Sequence, residues 1–463
     1  MNRDRAWVVG LVFVIGLLPS PAVFADDVED LRALVEQQRK DIAELAKRVA
    51  DLEHGLAKPA TEPSARETIV AEPSGNILAH PPASPAPTPA QGATPGDLLG
   101  DMVHRGAFPR SFMIPGSNIS LRIAGYVRFD GIYDDGAVGS GVRYFPDTIG
   151  VKGTPQAADS GVTRLSAGQT RLNFEAQAPR SVGNLRTFVE ADFFGAGDTF
   201  HLRHAYGEAG GVLGGYTWTA LMDLRALPQT VAFTAPVGAI YRPQGVLRYR
   251  HRLAKGTAFT LSAENPAADV ATGAGERALR PIPDLLANIN YSPAPSRHFQ
   301  LAGIYRRSGL ENASGQKLYA NGWGVTLTGH LATFGKDEIR AGGAWGDGIG
   351  SYVAGFATSP TSAAISPSGQ LEALEAKAGY VSYLHWWNPH LRTTALYGIA
   401  RLDNLDSQPA TALHLTESAG ANLVWSPVAG FGVGLEYLWG RRQNKNGAEG
   451  TDPRVQLGIQ FGY

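Results

Sequence analysis

From about residue 112 to Tyr463, apolar and polar residues alternate in segments of about ten, the period of two that places one set of side chains on each face of a sheet. Ile119, Leu121, Ile123, Val127, Phe129 and Tyr133 share one face, and Ser120, Arg122, Tyr126, Arg128, Asp130 and Asp134 the other. The last segment repeats the pattern, with Val455, Leu457, Ile459, Phe461 and Tyr463 set against Arg454, Gln456 and Gln460. The alternation predicts about sixteen strands, near 119–134, 168–178, 183–194, 200–208, 211–221, 244–252, 256–264, 284–292, 298–307, 321–331, 337–346, 371–386, 390–401, 412–425, 430–440 and 453–463. Tight turns at 178–181, 254–256, 292–295, 387–389 and 426–428 alternate with longer loops at 135–167, 222–243, 265–283 and 347–370. Short turns at one end and long loops at the other are the asymmetry of a transmembrane β-barrel.

A soluble β-sandwich would also alternate. Here, however, most apolar faces carry almost no charge, and aromatics such as Tyr133, Tyr249, Tyr291, Trp345, Tyr437 and Trp439 stand near strand ends. That is the pattern of a lipid-facing band with aromatic girdles. The polar faces hold charges that a dry core would accept only at a large desolvation cost, so they call for water and hence a lumen.

Upstream of the alternating region the pattern changes. Val28, Leu31, Val35, Gln38, Ile42, Leu45, Val49, Leu52 and Leu56 step alternately by three and four, which aligns one apolar seam on a helix. The spacing predicts a short coiled coil, with a lone surface helix as the other reading; Gln38 in the seam leaves the oligomer number open. Before it, Arg3 and Arg5 precede the apolar run Ala6–Leu18, and Val23-Phe24-Ala25 supplies a cleavage site, as in a secretory signal. After it, residues 59–111 are rich in Pro, Ala, Ser and Thr and predict an extended linker. The expected order is a signal peptide over 1–25, a periplasmic coiled coil over 26–58, a disordered linker over 59–111 and an outer-membrane barrel over 112–463.

Composition narrows the chemistry. Cysteine is absent, which removes disulfides, thiolate catalysis and Cys-based metal sites. A formal net charge of -1 gives no electrostatic reason to expect a nucleic-acid partner. No enzyme signature stands out, so no catalytic residue, metal or cofactor is expected. His201 and His204 resemble a metal pair, but residues three apart on a regular strand point to opposite faces. Gly329 to Lys336 departs from a phosphate loop in spacing and has Asp337 where Ser or Thr is needed. A hydrolase assembled from Ser, His and an acid on separate strands is the one enzymatic reading that no motif search tests.

If the polar faces line a channel, Arg122, Arg128, Arg171, Arg186, Arg203, Arg248, Arg250, Arg252, Arg306, Arg340, Arg392 and Arg454 project inward. Inward acids include Asp130, Glu175, Glu190, Asp192, Glu264, Glu338 and Glu436, so the lumen leans basic. Arg248, Arg250 and Arg252 fall two apart on one strand, a guanidinium ladder suited to carboxylate or phosphate solutes moving between weak sites. The competing reading is that these arginines mostly pair with the acids and stiffen the wall. The long segment after the fifth strand, with Met222, Asp223, Arg225, Pro228 and Phe233, is a candidate constriction loop; a plain external loop is the alternative.

Five stretches resemble the DcaP-like outer-membrane transporters: PGSNISLRIAGYVRFDGIYDD at 115–135, TRLNFEAQAP at 170–179, LRTFVEADFFG at 185–195, LRHAYGE at 202–208 and GYTWTALMDLRALPQTVAFTAPVG at 215–238. Tyr216 departs from the Gln usual in that family's GQTW stretch. The resemblance implies a homotrimer in which each protomer has its own pore for small anionic organic acids such as dicarboxylates, with Arg203 and Arg248 among the inward arginines. Outer-membrane lipid and lipopolysaccharide are the expected surroundings in a Gram-negative bacterium. The alternative function is structural, with the barrel anchoring a coiled coil that reaches towards peptidoglycan.

Overall fold

The computed structural model describes Lys40 and residues 105–463, apart from 182, 268 and 357. The signal, the heptad segment apart from Lys40, and the linker up to residue 104 lie outside the described residues. The alternating region forms a closed barrel of 16 antiparallel strands. In chain order these are β1 (Ser120–Asp134), β2 in two pieces (Val162–Ser166 and Arg171–Arg180), β3 (Gly183–Asp192), β4 (His201–Ala209), β5 (Val212–Trp218) and β6 (Pro243–Ala254). They continue as β7 (Thr257–Glu264), β8 (Asp284–Ala294), β9 (Arg297–Glu311), β10 (Lys317–Ala332) and β11 (Glu338–Asp347). The last five are β12 (Glu375–Asn388), β13 (Leu391–Leu402), β14 (Leu413–Val428), β15 (Phe431–Asn444) and β16 (Glu449–Gly462). Each strand pairs with the next, and β16 returns to β1 with Tyr126 opposite Gly462 and Asp134 opposite Arg454, so the sheet has no free edge.

Burial is inverted relative to a soluble protein. Val127, Phe129, Leu301, Leu327, Leu435 and Leu457 are exposed on the outer face, while Asp130, Glu175, Arg306, Arg392, Arg454 and Gln456 are buried inside. This is what strands with period two do when lipid lies on one side and a polar interior on the other. Exposed Tyr133, Tyr305, Trp323 and Trp345 mark the loop end of the barrel, and Tyr291, Trp387, Trp425 and Tyr463 the turn end.

Three boundaries differ from the expectation, each for a local reason. Val162–Ser166, expected within a loop, pairs with Asp130–Asp134 as the outer half of β2. Leu371–Ala373, expected to begin a wall strand, instead pairs with Ala363–Ile365 in a separate two-stranded hairpin. Residues from Arg105, expected in the linker, are already tied to the wall: Ala107 donates to Ser120 Oγ at 2.9 Å, and Phe112–Met113 pairs with Ser120–Leu121. Phe108 is buried with the Arg122 guanidinium 5.5 Å from its ring centre, which fastens this segment to the wall.

Candidate functional site: the lumen and its inner loop

The loop between β5 and β6 carries Leu221, Met222, Val231, Val237 and Ile240, too many apolar side chains to lie exposed in water. It runs inside the barrel along the wall and is fixed strand by strand. Ala220 N donates to Glu264 of β7 at 2.7 Å, and its carbonyl accepts from Asn288 of β8 at 2.7 Å. Asp223 accepts from His298 of β9 at 3.0 Å and from Thr328 of β10 at 2.7 Å. The carbonyls of Leu227 and Gln229 accept from Arg340 of β11 at 2.7 Å and Asn422 of β14 at 2.8 Å. Val231 N and Ala232 N donate to Glu436 of β15 at 3.1 and 2.6 Å, and the Val231 carbonyl accepts from Arg128 of β1 at 2.8 Å. Burial pushes the Asp223 carboxyl up, but the bonds from His298, Thr328 and Arg225 N outweigh it and hold it below the usual range.

Two glycines let the loop lie this close. A Cβ on Gly238, whose φ is +85°, would stand 2.3 Å from the Gly379 carbonyl oxygen, and one on Gly398 would stand 2.0 Å from that of Val237. The loop between β11 and β12 then packs over it: Tyr241 N donates to the Tyr352 carbonyl at 3.0 Å, and Gly238 N to that of Ala354 at 2.9 Å. Leu221, Met222 and Ile240 join Ile349, Tyr352 and Phe356 and the wall residues Leu286, Ile304 and Leu402 in one apolar cluster. Each large side chain so buried contributes about 1.5–3 kcal/mol. The interior along β7–β15 is therefore filled, while along β2–β6 the loop reaches the wall more sparsely, chiefly through Phe233.

On that more open wall and the neighbouring β1 and β7 the charges form separate short chains of ion pairs. Glu175 binds both Arg122 and Arg186, the latter at 2.7 Å. Glu190 binds Arg171 at 3.3 Å and Arg203 at 3.1 Å, and Arg203 also holds Asp192 at 2.8 Å. Arg248 donates to the Trp218 carbonyl at 2.5 Å and lies 3.9 Å from Glu264. Arg128 is bound to Asp130 at 2.7 Å. Arg248, Arg250 and Arg252 stand on one face of β6, opposite Ser262, Thr260 and Ala258 of β7, and Arg250 and Arg252 are exposed. The pairs are asymmetric: the carboxylate is sealed against the wall while several guanidiniums remain partly open.

Of the loop residues, Met222, Asp223 and Pro228 are buried against the wall, and Arg225 and Phe233 are half-buried. Phe233 lies under two of the arginines, 4.8 Å from Arg203 and 5.7 Å from Arg171. One expectation is corrected. His201 and His204 share the inner face, because a register shift between Glu190 and Ala191 leaves Arg203 as an extra residue on β4. His201 accordingly meets Asp192 at 3.0 Å and His204 meets Thr217 at 2.9 Å. No cluster of metal-ligating side chains occurs among the described residues. Sequence reasoning passed over Arg143, Arg242, Gln229 and Ser292, which lie in loops or gain their partners only through the inward path of residues 219–242.

A model of the porin subfamily matches residues 110–458. Among solved structures, the outer membrane channel DcaP of Acinetobacter baumannii aligns with 76% of this chain and 99% of its own at 21% identity, with a TM-score of 0.68. That likeness shows a common fold. The anion-selective porin from Comamonas acidovorans aligns with 74% of this chain and 100% of its own at 11% identity and a TM-score of 0.49. Outer-membrane expressed OmpT of Vibrio cholerae aligns with 76% and 100% at 12% identity and a TM-score of 0.49. No curated protein matches the chain.

Proposed function

Because the chain belongs to the porin subfamily, it is an outer-membrane channel, and we propose that it is a passive diffusion pore favouring small anionic organic solutes such as dicarboxylates. The observation that carries this reading is the orientation of the lumen ion pairs. Arg122, Arg186 and Arg248 keep 19%, 17% and 20% of their side chains exposed, whereas Glu175 and Glu264 keep 1% and 0%. A pair turned this way is close to neutral in sum, yet it presents its positive end and its spare N–H donors to a passing solute. Half-buried Arg225 and Arg242 add positive charge with no carboxylate partner among the described residues.

Guanidiniums spaced along the wall give several weak sites, which is what conduction requires, since one tight site would trap the solute. Arg122 and Arg186, which flank Glu175, suit a solute with two carboxylates. In this reading residues 222–243 form the constriction, the short turns and the coiled coil of residues 26–58 face the periplasm, and three copies assemble in a membrane containing lipopolysaccharide. Reversal potentials across planar bilayers under a salt gradient test the central claim. The expected result is anion selectivity that weakens at high ionic strength; cation selectivity or none overturns it.

A further inference from the structure

Two pairs of residues from distant parts of the chain, Asp223 with Arg225 and Ser292 with His298, close a hydrogen-bonded ring inside the barrel near its turn end. His298, at the start of β9, binds both Asp223 carboxylate oxygens through Nε2 at 3.0 Å. Its Nδ1 lies 2.8 Å from Ser292 Oγ near the end of β8. Arg225 donates from Nη1 to the same Ser292 Oγ at 2.9 Å, and its backbone N donates to Asp223 at 3.1 Å. Thr328 donates to the second Asp223 oxygen at 2.7 Å, so the carboxylate is fixed from three sides. His298 is 1% exposed and Asp223 buried, while Ser292 is only half-buried.

A carboxylate accepts only, so Nε2 of His298 donates to it. The neutral ring then has its lone pair on Nδ1, aimed at the serine hydroxyl. This is the nucleophile, base and orienting acid of acyl-transfer enzymes, with the two ring nitrogens exchanged relative to the usual arrangement. We propose that Ser292, His298 and Asp223 form a catalytic triad that hydrolyses short carboxylic esters within the lumen. Ser292 Oγ attacks the ester carbonyl carbon as its proton passes to His298 Nδ1, and the carbonyl electron pair moves onto oxygen. The Arg225 guanidinium beside the nucleophile stabilises that oxyanion. Collapse breaks the bond to the alkoxy oxygen, which leaves as the alcohol with the proton from Nδ1. Water then attacks the acyl-serine by the same relay, releasing the carboxylic acid and restoring the serine.

The full chain, purified and reconstituted, is treated with a fluorophosphonate probe and assayed with p-nitrophenyl acetate. The expected result is a covalent adduct on the peptide containing Ser292, absent in Ser292→Ala. Ester hydrolysis falls by about 100-fold or more in Ser292→Ala and His298→Gln, while both variants still conduct in planar bilayers, which shows that they fold. A conducting wild-type chain with no adduct at Ser292, or hydrolysis equal in wild type and Ser292→Ala, overturns the proposal and leaves the ring as a loop anchor. Ion selectivity is read separately, so failure here leaves the channel reading untouched.

Discussion

The two halves of the lumen solve the problem of interior charge in different ways. Along β7–β15 the inner loops bring their own apolar core, and the charges beneath them are met one by one: Asp284 by Arg306 at 3.5 Å, Glu436 by two backbone amides and Asn422. Along β2–β6 the inner loop reaches the wall chiefly through Phe233, over Arg171 and Arg203, and charges are met mostly by each other, in chains such as Arg122 (from β1)–Glu175–Arg186 and Arg171–Glu190–Arg203–Asp192. A covered charge has one geometry in which it is tolerable, whereas a charge facing water has many. Substitutions in the covered half should therefore register as lost stability, and those on the open wall as altered permeation.

The largest effect is expected at Arg306. Its side chain is 1% exposed and donates to the Gly348 carbonyl at 2.6 Å and to Ser351 and Ser362 at 2.9 Å, besides facing Asp284. Arg306→Ala leaves the buried Asp284 carboxylate without its ion-pair partner, held by the Tyr352 hydroxyl at 2.7 Å, and unties the loop between β11 and β12. The expected loss is about 3–5 kcal/mol, measured by urea titration of the folded, heat-modifiable band; an unchanged midpoint would contradict the sealed-half picture. Glu436→Ala comes next. It removes the acceptor for Val231 N and Ala232 N, at about 1–3 kcal/mol, and frees the part of the inner loop nearest β1. Single-channel records should show larger and noisier current, with Glu436→Gln intermediate because its amide keeps one acceptor oxygen. Quiet wild-type traces from Glu436→Ala would mean that the loop does not depend on this anchor.

On the open wall the same logic predicts a change of sign rather than of stability. Arg186→Ala leaves Glu175 with Arg122 alone and removes a guanidinium from the lumen, so the anion-to-cation permeability ratio falls. Glu175→Gln leaves both arginines in excess, so the ratio rises. Shifts of roughly three- to tenfold correspond to about 0.7–1.4 kcal/mol, read from reversal potentials. If both variants move the ratio in one direction, the wall is not setting selectivity through these pairs.

The contrast also explains what could be read in advance. All sixteen strands were legible because lipid and a polar interior impose opposite demands on alternate residues, and even Arg128, Arg171, Arg186 and Arg248 follow from parity alone. Ion pairing was not legible, because it depends on cross-strand register: that Arg186 reaches Glu175 rests on the pairing of β2 with β3. Arg203 faces inward although the strand is irregular there, and the same extra residue brings His201 and His204 to one face, which a regular alternation does not predict. The inner loop was half legible. Residues 222–237 hold only Asp223 and Arg225 as charges beside several apolar residues, a composition unsuited to a solvated loop. The strands it touches could not be read, since its path is set by glycines such as Gly238 and Gly398 whose role appears only in three dimensions.

The smallest effect tests whether the covered half extends its single-geometry rule to the turn end. Asp337, between β10 and β11, accepts from Trp386 N, His385 and Tyr383 at 2.8 Å each. The Trp386 amide above all, then the His385 and Tyr383 side chains, hold its carboxyl down to about 2. Because the folded value lies below that of an unfolded aspartate, about 3.9, the ionised form favours folding. That contribution is complete above the unfolded value and is lost as pH falls from near 4 through 2. Asp337→Asn abolishes the proton linkage while keeping one acceptor, so the variant should be modestly less stable at neutral pH and should converge with wild type as pH falls towards 2. Urea midpoints compared at pH 7, 4 and 2.5 measure this, and a gap that stays constant across that series would show that the carboxylate charge at this turn does not contribute.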